Sequence, residues 1–214
     1  MPSPARSRGR PAPDILTGRI LAAANLQLFR YGYNALTMDD LARELGVSKK
    51  TLYRHFPGKE ALVREVLNRF AAEVRELADG LFADPELSFA TKFSRLVAAM
   101  LQRFSRMNPH FIRDLQRYAP PLHRQLEELR HENIPYVFGQ VIAQGQAAGM
   151  VRADVDPGFA IEFWRTAIVG LMQPEASERL GLTPEQIFQK SINLFFAGLL
   201  TPAGRKDYEN KPVA

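Results

Sequence analysis

Residues 32–60 read Gly-Tyr-Asn-Ala-Leu-Thr-Met-Asp-Asp-Leu-Ala-Arg-Glu-Leu-Gly-Val-Ser-Lys-Lys-Thr-Leu-Tyr-Arg-His-Phe-Pro-Gly-Lys-Glu. Two short helical patterns meet there at a glycine. Thr37 followed three residues later by Asp40 resembles a capping box with Asp in the Glu/Gln place, so it caps and starts a helix. Met38, Leu41, Ala42 and Leu45 recur at helical spacing, and Gly46 suits the left-handed position that closes such a helix. Val47 is the apolar residue of the turn. Ser48 caps a second helix, in which Leu52 and Phe56 form an i, i+4 buried edge. Two helices joined by a three- to four-residue turn containing Gly form a helix-turn-helix. The second helix carries Lys49, Lys50, Tyr53, Arg54 and His55, mostly on faces that Leu52 and Phe56 leave open. By chemistry and by position it reads as a recognition helix.

The distribution of charge agrees. The 214-residue chain has a formal net charge of +5. Residues 1–60 hold ten Lys/Arg and five acids, whereas residues 61–214 hold eighteen of each, so the whole excess surrounds the helix-turn-helix. Basic patches gain affinity for polyanions by releasing counterions from phosphates, which makes double-stranded DNA the expected partner. With no cysteine, neither a disulfide framework nor a thiol switch is available. The longest strongly apolar run, Leu194 to Leu200, is too short for a membrane span, and the N-terminus lacks an apolar signal region. A cytoplasmic protein with no membrane partner is expected. There is no paired nucleophile and base, no phosphate loop and no metal-ligand spacing: His123 and His131 are two helical turns apart. The reading is therefore of a non-enzyme with no cofactor and no metal.

Outward from the motif, residues 1–13 are rich in Pro, Ala, Ser and Arg and should form a flexible basic arm. Within it, Arg8-Gly9-Arg10-Pro11 resembles the core of an AT-hook, whose arginines enter the narrow minor groove of A·T-rich DNA; a solubilising tail is the plainer alternative. Asp14 can cap a helix to Tyr31 with Ile20, Ala23, Ala24 and Leu28 as its buried edge, completing a three-helix DNA-binding domain over residues 14–57. A connecting helix is expected over 58–82. From Asp84-Pro85 the chain reads as all helix, without strand-like alternation. Helical patterns follow Phe89, Phe111, Pro120-Pro121 (with a bend expected at Pro135), Asp156-Pro157 (running to Pro174) and Thr183, where Thr183-Pro184-Glu185-Gln186 is a full capping box. The fold expected is all-α with about nine helices: the helix-turn-helix domain, then a larger helical ligand-binding and dimerisation domain over 83–200 and a polar tail over 201–214.

Residues 32–62 resemble the DNA-binding signature of the tetracycline-repressor (TetR) family of bacterial transcriptional regulators. The similarity runs through the aromatic after Gly32, Thr37-Met38-Asp39-Asp40-Leu41-Ala42, Gly46-Val47-Ser48, Leu52-Tyr53, His55-Phe56, Lys59-Glu60 and Leu62. It implies that Thr37, Tyr53, His55 and Lys59 donate to phosphates, setting register, and that Lys49, Lys50 and Thr51 reach base edges in the major groove. Two departures stand out: Leu36 replaces a second hydroxyl common in the family, and Lys50 replaces a small residue. The resemblance also implies a ligand cavity in the second domain, for which Phe93, Met100, Phe104, Phe111, Tyr118, Phe138, Phe163 and Trp164 are the candidate lining. Gln116, Arg113 and Gln140 are possible polar neighbours. An unidentified, largely apolar small molecule would be the effector.

The helix after Thr183 is apolar around most of its circumference, more than one buried stripe requires. Small residues Ala167 and Gly170 would let helices approach closely. Ala167, Gly170, Phe188, Ile192, Phe195, Phe196 and Leu199 are accordingly the candidate dimer interface, and a two-fold dimer would match a palindromic operator. The expectation is a homodimeric repressor. An activator or architectural DNA-binding protein shares the same DNA-binding half, and a helical enzyme or carrier is the alternative from another class.

Overall fold

The computed structural model describes residues 15–209; Asp14, Arg8 and Arg10, and the readings that rest on them, lie outside the described residues. Eleven helices make up the described chain: α1 (Ile15–Tyr31), α2 (Met38–Leu45), α3 (Lys49–His55), α4 (Lys59–Ala83), α5 (Phe89–Ser105), α6 (Phe111–Tyr118), α7 (Pro120–Ala147), α8 (Pro157–Leu171), α9 (Pro174–Leu180), α10 (Pro184–Leu199) and α11 (Pro202–Glu209). Among the described residues there is no strand, only an isolated bridge between Val151 and Leu200.

The capping chemistry behaves as the residues require. Thr37 accepts the Asp40 N–H, Ser48 that of Thr51, Asp156 that of Phe159 and Thr183 that of Gln186, the last as a complete capping box. Two helices are additions to the expected nine. The pattern begun at Pro157 stops at Met172, and Pro174 opens α9 instead of closing α8, because Pro at the first helical turn gives up an N–H that would be unpaired anyway. Likewise Thr201-Pro202 both ends α10 and begins α11: the Thr201 hydroxyl accepts the Gly204 N–H at 3.1 Å. The tail expected from residue 201 is thus helical as far as Glu209.

α4 is the axis of the molecule. One end packs on α1, and the remainder lies between α5 and α7. α7 continues unbroken through Pro135. Bonds tie it to α4 on both sides of that proline: Gln125 reaches the Arg64 carbonyl, Asn133 the Ala71 carbonyl, Tyr136 and Gln140 the Asp79 carboxylate, and Gln144 the Phe82 carbonyl. Buried Lys92 also donates to the Phe82 carbonyl, at 3.1 Å, placing a cation against the C-terminus of α4 where the helix dipole favours it.

One apolar core runs through both halves. Ile20, Leu28, Leu36, Leu41, Leu52 and Leu62 fill the space between α1, α2, α3 and the start of α4; Phe93, Leu115, Leu122, Phe138 and Phe196 fill the larger bundle. Each such side chain contributes about 2 kcal/mol by leaving water.

Candidate nucleic-acid interface and ligand cavity

α2 and α3 are set by two local devices. Gly46 takes φ 67°, ψ 30°, and its left-handed backbone turns the chain so that the Val47 N–H returns to the Ala42 carbonyl. Ser48 then starts α3, with Leu52 fully buried and Phe56 closing the helix against the core. Burying this edge leaves Lys49, Lys50, Tyr53 and Arg54 exposed, with Thr51 half-buried beside them. Thr37 is exposed at the start of α2. The arrangement collects on one surface three cations, a phenol and hydroxyls, as a phosphate-lined groove requires.

The cations are not equivalent. Lys49 Nζ lies 2.6 Å from Asp39 Oδ2 on α2. Arg43 pairs with Asp40 at 2.9 Å, and the Thr37 hydroxyl also donates to Asp40. Together these hydrogen bonds and Arg43 hold the Asp40 carboxyl below the usual range, the Thr37 bond being the largest influence. Lys50, by contrast, has no ion-pair partner among the described residues.

Three expectations need revision in geometry. His55 turns toward α1: its Nδ1 is 2.9 Å from the Thr17 hydroxyl, and its Nε2 is buried without a partner. An imidazole held there braces the recognition helix and does not face a phosphate. Lys59 is half-buried, with Nζ 4.0 Å from the Tyr33 ring centroid, a cation–π contact. Burial pushes its pKa down, against the pull of the Asp114 carboxylate. Leu36 is fully buried, so the departure read as a missing phosphate donor is a core side chain.

The larger domain contains a half-open apolar cavity of about 180 Å³. Phe93, Met100, Phe104, Phe111, Phe138 and Trp164 line it, as the sequence suggested. Tyr118 and Phe163 do not: both are about half exposed, on the outer sides of α6 and α8. The expected polar neighbours are engaged elsewhere, Gln116 with Gln173, Arg113 with Glu178 and Gln140 with Asp79. Sequence reasoning missed Arg130 and Asn133, which with Trp164 supply the polar atoms of the wall. A signal existed, since Leu126, Leu129, Arg130, Asn133, Ile134 and Val137 share one helical face, where two polar residues interrupt an apolar stripe. It also missed Phe29, which reaches this wall from α1. The Phe29 ring lies 5.1 Å from Phe70 and 5.0 Å from Phe111.

The outer face of α8 and α10 differs from the expected dimer surface. Phe188, Ile192, Phe196 and Leu199 are buried within the monomer, because α10 presents that side to α5 and α8. Phe195 and Ala167 are half-buried and Gly170 is exposed. What remains outside is an apolar stripe of Phe159 (72% exposed), Phe163 (54%) and Leu194 (81%). Phe163 stacks on Phe195 at 5.7 Å, so the stripe crosses from α8 to α10.

A helix-turn-helix with an exposed basic recognition helix, set on a helical domain with an apolar cavity, defines a DNA-binding transcriptional regulator. Residues 20–66 match the family described as "Bacterial regulatory proteins, tetR family". Over most of its length the chain is similar to the HTH-type transcriptional regulator YvaF of Bacillus subtilis (23% identical over 181 residues, 85% of this chain and 94% of that one). It is similar too to the HTH-type transcriptional repressor KstR2 of Mycobacterium tuberculosis (25% over 195 residues, 85% and 92%). The fold matches that of a TetR transcriptional regulator from Legionella pneumophila, with a TM-score of 0.65 at 18% identity, covering 88% of this chain and 99% of the other. Residues 20–66 thus carry the DNA-binding region of that family, and the relatives similar over most of the chain are HTH-type transcriptional regulators.

Proposed function

We propose that the chain acts as a homodimeric one-component repressor, binding a palindromic operator through α2 and α3 and releasing it when a small, largely apolar molecule enters the cavity. The observation that carries this reading is the position of Phe29. It belongs to the first helix of the DNA-binding unit, yet its ring forms part of the cavity wall. The end of α1 is also tied to the larger domain, through the Asn108 N–H to the Phe29 carbonyl at 2.6 Å. A ligand that binds better to a state with Phe29 and α4 displaced would move the recognition helices out of register with the two half-sites. The sign of regulation is supported by the repressor KstR2, similar over most of the chain. Two-fold association is supported by the exposed stripe of Phe159, Phe163 and Leu194, a patch that water does not favour.

In this reading Thr37 and Tyr53 donate to phosphates, while Lys50, Thr51 and Lys49 face base edges. Lys59 sits at the first turn of α4, where the dipole attracts an anion. Titrating a labelled palindrome from the DNA flanking the gene with wild type and Tyr53→Ala tests the assignment. Loss of a phosphate bond from each subunit should weaken binding about tenfold or more. Equal affinities at moderate salt would overturn it.

A further inference from the structure

The cavity wall is apolar, aliphatic, aromatic and thioether, except for Arg130, Asn133 and Trp164, and the state of these three groups defines what the cavity can hold. Asn133 is committed at both ends: Arg75 donates to its Oδ1, and its Nδ2 donates to the Ala71 carbonyl at 2.8 Å. Arg130 is 16% exposed and uses one of its nitrogens, Nη1, on Glu127 Oε1 at 2.8 Å. A guanidinium has five N–H donors and no acceptor, and among the described residues the others meet no protein acceptor. The Trp164 indole N–H can only donate as well. The wall therefore offers hydrogen-bond donors.

Charge narrows the class further. Glu127 already neutralises Arg130, and burial pushes the arginine's pKa down while that carboxylate opposes the shift. His123 Nε2, 3.8 Å from the same carboxylate, is buried without a partner. An anionic ligand would bring a second negative charge beside Glu127 against a largely apolar wall, where an uncompensated charge is costly. A neutral acceptor avoids that cost and still satisfies the unused donors.

We propose that the cavity selects neutral, largely hydrocarbon molecules bearing one carbonyl-type acceptor, which the Arg130 guanidinium meets. This rests on the reading of the cavity as the effector site. Three probes of matched carbon count test it by calorimetry on the full chain: butylbenzene, butyrophenone and 4-phenylbutanoate. Butyrophenone should bind roughly tenfold or more tighter than butylbenzene, the value of a hydrogen bond to a charged donor, and tighter than the carboxylate. Arg130→Met alone would strand Glu127, so the pair is removed together in Glu127→Gln/Arg130→Met, and the ketone-to-hydrocarbon ratio should fall to near one. Equal binding of ketone and hydrocarbon in the wild type, or an unchanged ratio in a folded double variant, overturns the proposal and leaves the effector cavity standing. Tightest binding of 4-phenylbutanoate overturns it in favour of an anionic ligand. If none of the three binds, the effector-site reading falls and the proposal falls with it.

Discussion

Gly32 and Asp114 touch across the joint between the two halves of the molecule. Gly32 sits at φ 88° just past the end of α1, and a Cβ built there would lie 2.7 Å from Asp114 Oδ2 on α6. Beside it Asn108 donates from its backbone to the Phe29 carbonyl and from its side chain, more weakly, to the Arg30 carbonyl at 3.4 Å. The DNA-binding unit is thus held to the larger domain by contacts that leave no room for a side chain.

Gly32→Ala should therefore cost stability twice. Holding an L-residue in the left-handed region costs about 1–2 kcal/mol, and the methyl group must displace Asp114. Thermal unfolding should show a lowered Tm. Asp114→Ala in the same chain should recover only the steric part, and full recovery would show that the backbone conformation costs nothing.

The Asp39–Lys49 pair restrains a lysine of the recognition helix. Asp39→Asn removes one negative charge from the DNA-facing surface and frees Lys49. DNA affinity should rise, and the preference for the operator over unrelated sequence should sharpen as Lys49 becomes free to reach a base edge. Unchanged affinity and preference, measured by anisotropy with operator and unrelated DNA, would mean that Lys49 does not reach a base.

His55 faces Thr17, so its removal should be read in folding. His55→Ala strips a hydrogen bond and packing from the contact between α1 and α3, at a cost of about 1–3 kcal/mol. Below the new Tm, the salt slope of DNA binding should match that of wild type. A slope lower by about one would restore His55 as a phosphate ligand.

Leu194 is the cleanest probe of self-association, because it is almost fully exposed in the single chain. Leu194→Glu should leave the stability of the monomer fold unchanged to within about 0.5 kcal/mol. By light scattering it should shift the chain toward monomer. A wild type that is monomeric at all concentrations tested would remove the dimer from the proposed mechanism.

Asp79 lies between Gln140, Tyr136 and Arg75, and the hydrogen bonds from Gln140 and Tyr136 lead in holding its carboxyl below the usual range. The Tyr136 phenol donates its O–H to Asp79, and this bond in turn raises the phenol's pKa. Because the folded carboxyl is the stronger acid, its stabilising effect is complete above the unfolded value of about 4 and is lost as pH falls through the lower folded value. The difference in Tm between wild type and Asp79→Asn should be present at neutral pH and shrink in acid. A difference that grows in acid would reverse the assigned sign.

Local chemistry determined much of this protein. Thr37, Gly46, Ser48 and the full capping box at Thr183 act through bonds spanning three or four residues, so their meaning is complete in the sequence, and the helix-turn-helix could be read from them directly. Periodicity also placed Phe93, Phe138 and Trp164 inside. Faces shared between helices were another matter. His55 reads as a phosphate donor of the recognition helix until Thr17, thirty-eight residues earlier, is folded against it. The apolar girth of α10 says that two sides are covered; only packing against α5 and α8 decides that Phe196 and Ile192 belong inside and Leu194 outside. Arg130 is one charge among many in α7 until the bundle closes an apolar cavity around it. Sequence separation is the physical reason. A cap needs its own neighbours, whereas burial, pairing and enclosure depend on which distant helix arrives, and that is a property of the tertiary structure alone.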